Sequence, residues 1–333
     1  MKNRVLAIPV VLSLLLTIQW AAPLASGAAH SSVYDRFLST LHFASNAPEA
    51  FQQRDGAGIG LPAPARLHEA DGRGLLVQTW VNGTGPFEFA VDTGAGANIL
   101  SRRVASAARV EVETGGGAVR VVGLSGVGAQ GARKAHVRNF ALGARGNLLP
   151  SQGFTIIADG LPAGVDGVLD PTESFSPLGY RIDMPNETIS AFDPRLTPLR
   201  SDAAPADGTV ARWLTEPESR RPYVMLAQGR RALIDTGSGF GLAVNRDAAR
   251  SLGIFTGEGR ERVGTRDLGG GDIPSRRIRP ATVHVGSLAL RNVPTDYLSD
   301  AGAGAPVLLG RDALRPFELS FDPVNRLIRF KPV

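Results

Sequence analysis

The sequence contains no cysteine. Disulfides, a thiol nucleophile and thiolate metal sites are therefore excluded. Histidine is scarce: the five residues, His30, His42, His68, His136 and His284, are scattered without ligand spacing. No metal or cofactor is expected. Blocks of one charge are also missing. The net charge is +5, and the basic residues, almost all Arg, lie among acids. That is a mixed solvated surface rather than a nucleic-acid patch. Aromatic residues make up only 6% of the chain, fewer than carbohydrate clefts usually offer. Beyond the N-terminus there is no apolar run long enough to span a bilayer.

What is present is glycine and proline, 40 and 23 residues in a chain of 333. That length can bury a large core, and the composition fits a turn-rich β protein better than a helix bundle. Lys2 and Arg4 precede the apolar run Val5–Leu16, and small residues follow through Ala29. This is the pattern of a secretory signal over residues 1–27, with an uncleaved anchor as the minor reading. An exported, periplasmic or secreted protein is expected. Residues 28–73 read as an N-terminal arm or linker, with a short amphipathic helix over Ser31–His42.

The chain then repeats itself. Phe87-Glu-Phe-Ala-Val91 runs into Asp92-Thr93-Gly94-Ala95, and Arg231-Ala-Leu-Ile234 runs into Asp235-Thr236-Gly237-Ser238. Each motif follows a strand-like segment and a turn, Leu75–Val81 with Asn82-Gly83 in one copy and Tyr223–Leu226 with Gly229 in the other. Each leads into a capped helix, with Ser101 or Asn245 as the cap. Gly-rich hairpins follow, around Gly123-Leu124-Ser125-Gly126 and around Leu268-Gly269-Gly270. Phe140–Gly143 matches Val283–Gly286. Closing hairpins over Ile182–Phe192 and Phe321–Phe330 complete the two copies. The Pro-, Ala- and Asp-rich stretch 194–208 joins a first unit over 74–193 to a second over 209–333. A repeat of this length is a duplicated domain, not a solenoid.

With these motifs the chain resembles the retropepsin-like and pepsin-like aspartic peptidases, over roughly residues 74–332. The resemblance implies an all-β fold of two similar lobes, a few short helices and an active-site cleft between the lobes. It implies Asp92 and Asp235 as a catalytic dyad. Thr93 and Thr236 would brace the two loops across the lobe interface, and Gly94 and Gly237 would allow close backbone approach. Leu309-Gly310 would belong to a segment crossing behind the second loop, and the Gly-rich hairpins would be flaps. The first copy departs from the pattern: Gly167-Val-Leu-Asp170 puts Asp where Gly310 stands in the second. If that position needs tight packing or positive φ, Asp170 would be strained, and Gly167 would take its role through a shifted loop.

Two carboxyls held together cannot both ionise easily and share a proton, which supplies a base and an acid from identical side chains. Ser238, with a hydroxyl where the first copy has Ala95, is expected to favour the ionised form of Asp235. The expected activity is endopeptidase cleavage of an extended polypeptide by a monomer, with no nucleic-acid or membrane partner beyond the signal segment. A catalytically silent peptide-binding module on the same fold is the alternative. A carboxylate-pair glycosidase is disfavoured by the repeat and the few aromatics. Gly126-Val-Gly-Ala-Gln-Gly131 imitates a dinucleotide loop, but no helix pattern follows it.

Overall fold

A computed structural model describes residues 14–15, 60–70, 73–113, 119–123, 128–216, 219–262, 273–299, 301 and 305–333. Apart from Leu14–Leu15, the expected signal segment lies outside these residues, as does the expected helix over 31–42. Residues Leu61–Val333 fall within one compact unit. Strands dominate it, and the described helices are four and short. The all-β, two-lobed expectation holds.

Each half is built by the same local rules. In the first, Gly74–Val81 pairs antiparallel with Thr84–Val91, Leu76 opposite Ala90 and Val77 opposite Phe89. Asn82 and Gly83 both adopt positive φ, 51° and 76°, the backbone of a tight hairpin turn whose twist matches the strands. The return strand is buried over Phe89–Val91 and ends at Asp92. Asn98–Leu100 leads out, and Gly167–Leu169 inserts between it and Phe89–Val91, parallel to the latter. A side chain at Gly167 would overlap the Phe89 ring and the Ile99 carbonyl, so only glycine fits this crossing.

In the second half Ser219–Met225 pairs with Arg231–Asp235, and Leu242–Val244 leads out. Val307–Gly310 runs parallel to Ala232–Asp235 in the same place. The helix caps fall where the residues place them. Ser101 accepts the Val104 N–H at 3.3 Å before Arg102–Ala107, and Asn245 accepts the Ala248 N–H at 2.9 Å before Arg246–Ser251.

The halves are joined by hydrogen-bonded sheet. Their closing hairpins, Gly179–Asp183 with Thr188–Phe192 and Phe317–Asp322 with Leu327–Pro332, meet edge to edge, Arg181 opposite Ser320. The turn chemistry repeats as well: Asp183 Oδ1 accepts the Asn186 N–H at 3.0 Å, and Asp322 Oδ1 the Asn325 N–H at 2.8 Å. At the seam the Tyr180 and Phe321 rings stack at 4.6 Å, both fully buried. Ala65–Ala70 flanks this sheet on one side and Thr209–Arg212 on the other. The arm before the repeat thus contributes a strand to both the first half and the seam.

Candidate active site

Asp92 and Asp235 stand at equivalent ends of equivalent strands, and the two loops interlock through their threonines. Thr93 Oγ1 donates to the Ile234 carbonyl at 2.6 Å and accepts the Thr236 N–H at 3.2 Å. Thr236 Oγ1 donates to the Val91 carbonyl at 2.9 Å and accepts the Thr93 N–H at 3.1 Å. All four groups are buried, so each bond is worth on the order of 1 kcal/mol and more to break than to make. The grip brings the carboxyls together. A methyl group on Gly94 would lie 3.0 Å from Asp235 Cγ, so glycine is what allows the approach.

Both aspartates are almost fully buried. Asp92 Oδ1 accepts the Gly94 N–H at 2.7 Å, whereas Oδ2 is buried without a protein hydrogen bond. Burial, and then the charge of Asp235, push the Asp92 carboxyl well above the usual carboxylate range; the Gly94 N–H opposes them. Asp235 Oδ1 accepts the Ser238 backbone N–H at 2.9 Å. The Ser238 hydroxyl accepts the Phe240 N–H at 3.3 Å, so Ser238 serves the loop through its main chain as well as its side chain.

This arrangement agrees with the family comparison. The model of the aspartyl protease family matches twice, over residues 77–164 and 228–313, about half of the chain in total. The chain belongs to the aspartyl protease family. No curated protein matches it. The two matches fall within the two copies of the repeat, so this member of the aspartyl protease family carries the family's unit twice on one chain.

Behind the loops the two halves differ. Asp170 has φ −86° and is not strained; it caps the helix Pro171–Ser174, accepting the Thr172 N–H at 2.8 Å. The condition for strain is not met, and no shifted loop is needed: Val168 and Leu169 keep the register that Leu308 and Leu309 have in the second half. Asn98 completes the support, accepting the Asp170 N–H at 2.8 Å and the Ser174 hydroxyl at 3.0 Å. Gly310, by contrast, is packed too tightly for a side chain, against the Ser238 and Phe240 carbonyls.

Arg311 is the site residue whose part the motifs did not reveal. Buried behind the second loop, it donates through Nη1 to the carbonyls of Thr236 at 3.0 Å and Gly237 at 2.8 Å. Its Nε lies 3.4 Å from Glu69, which also accepts from Arg315 Nη2 at 2.8 Å. Of the expected flap residues, Gly123 ends the strand Val119–Gly123, which pairs with Gly128–His136. Leu124, Ser125, Gly126, Leu268, Gly269 and Gly270 lie outside the described residues. Among the described residues no His, Asp and Glu group could hold a metal ion.

Proposed function

We propose that the chain is an exported endopeptidase whose Asp92 and Asp235 share one proton and activate water. The observation that carries this reading is the reciprocal threonine grip, which sets two buried carboxyls side by side. A proton held between them would satisfy the bare Oδ2 of Asp92. The ionised carboxylate takes a proton from water as its oxygen adds to the peptide carbonyl carbon. The protonated carboxyl gives its proton to the carbonyl oxygen. On collapse the C–N bond breaks, the amine nitrogen takes the first proton, and a hydroxyl of the tetrahedral intermediate returns the second. Both carboxyls end as they began, and no covalent enzyme intermediate forms.

Export rests on the Lys2 and Arg4 region, the Val5–Leu16 run and the small residues after it. The test is incubation of the full chain with an unfolded protein across acid to neutral pH, beside Asp92→Asn, Asp235→Asn and a statine-type inhibitor. Cleavage should fall by about 10²–10⁴-fold in either variant. Cleavage unchanged in both would refute the dyad. Peptide binding with no turnover would favour the silent binding module. N-terminal sequencing of the protein recovered from outside the cytoplasm tests the signal.

A further inference from the structure

The repeat frame exposes a difference of charge between the two loops. Leu169 and Leu309 occupy the same register against the strands before Asp92 and Asp235, and Asp170-Pro171 follows in the first half where Gly310-Arg311 follows in the second. At the first of these positions the first half has a carboxyl group where the second has no side chain. At the next, the first half has proline, which cannot donate, where the second has a guanidinium.

These groups act on the loops through peptide units. Arg311 holds the Gly237 carbonyl at 2.8 Å, and the N–H of that same peptide, on Ser238, donates to Asp235 at 2.9 Å. A cation on the oxygen end strengthens the donor on the other end, because linked hydrogen bonds polarise one another. The result favours Asp235 as the carboxylate. In the first loop Asp170 is buried and takes the Gly96 N–H along with those of Thr172 and Glu173. Once ionised, it opposes a second negative charge on Asp92.

Resting on the protease reading above, we propose that Asp170 and Arg311 are positioning residues that assign the shared proton, keeping it on Asp92 and leaving Asp235 ionised. Other charged groups face this arrangement. Arg221, from the second half, packs against Gly96, where a methyl group would lie 3.0 Å from its Nε. Glu173 adjoins Asp170 and is itself 3.8 Å from Arg220. Tyr180 feels the Asp170 charge. Arg311 faces Glu69, Asp312, Arg315 and Asp235. Asp170, raised by burial and by Glu173 to about 7, ionises toward neutral pH, where it can hold the proton on Asp92.

The test reads the protonation state by chemistry that does not depend on turnover. A diazoacetyl ester with copper esterifies a protonated carboxyl, and an aryloxy epoxide alkylates a carboxylate. Each is applied to the full chain near neutral pH, where Asp170 is ionised, and the labelled peptide is found by mass spectrometry. The diazo label is expected on Asp92 and the epoxide label on Asp235. A reversed, equal or absent pattern overturns the assignment, whether or not the protein cleaves peptides. If it does cleave, Asp170→Asn keeps the cap acceptor and removes the charge, so Asp92 should lose its proton at lower pH. The alkaline limb of kcat/KM then moves down, with a loss of about 3- to 10-fold on that limb. A merely structural role would lower the rate equally at every pH, and an unmoved limb would overturn the part given to Asp170.

Discussion

Thr93 and Thr236 each use one hydroxyl to hold the other's backbone, donating across the seam to Ile234 and Val91 and accepting each other's N–H. Neither loop has this geometry without its partner, so the bonds should behave as one unit. Thr93→Val is expected to cost about 1–3 kcal/mol, because it leaves buried polar groups unpaired. Thr93→Ser should recover most of it. In a double-mutant cycle with Thr236→Val, measured by urea unfolding, the double variant should cost clearly less than the two singles together. Strict additivity would mean that the grip does not act as a unit.

The positions Asp170 and Gly310 are equivalent in register but should not be interchangeable. Gly310→Ala forces a methyl group against the carbonyls of Ser238 and Phe240 and is expected to cost about 1–3 kcal/mol. Asp170→Gly removes a helix cap without creating a clash, at a cost of roughly a few tenths of a kcal/mol. Thermal unfolding of the two variants distinguishes them.

Asp170 should also leave a mark on stability against pH. Its folded carboxyl titrates near 7, above the ordinary value of 3.8. Between those values the native state holds a proton that the unfolded chain has released. Its contribution is therefore fully present below the lower value and is lost as pH rises through the upper one. The difference in unfolding free energy between wild type and Asp170→Asn should change across this window and be flat below it. A difference that is constant from acid to neutral pH would contradict the buried, proton-holding carboxyl.

Glu69 has the opposite sign. Its hydrogen bond to Arg315, with the charges of Arg315 and Arg311, holds its carboxyl below the ordinary value. Its contribution is present above that value and fades as pH falls through the lowered one. Glu69→Gln should weaken the anchoring of Arg311 and so loosen the second loop. We expect Tm to fall by roughly a few degrees near neutral pH and by less in acid.

Local chemistry made much of this molecule readable. Asn82-Gly83, the caps Ser101 and Asn245, and the apolar strands before each Asp-Thr-Gly act over a few residues, and each forms where its sequence places it. Asp170 looks irregular only when it is set against Gly310 alone. Asp170-Pro171-Thr172-Glu173 is itself a helix-start signature, a cap followed by proline at the first helical position and an acid two residues further. The part played by Arg311 had no such local cue. Its partner Glu69 precedes the repeat, and only the folded chain brings the arm to the second loop. The pairing of the closing hairpins across the seam was equally invisible, since each hairpin is locally complete without the other.

That seam has a consequence for the parts. With Gly179–Asp183 bonded to Phe317–Asp322, each half produced alone would present a bare, twisted edge strand and an uncovered aromatic, Tyr180 or Phe321. An exposed edge of that kind seeks another strand, and the nearest match in shape is a second copy of the same half. Fusing the halves turns a liability to self-associate into an internal joint. It also frees the two copies to differ, so that an acid can stand behind one aspartate and a base behind the other.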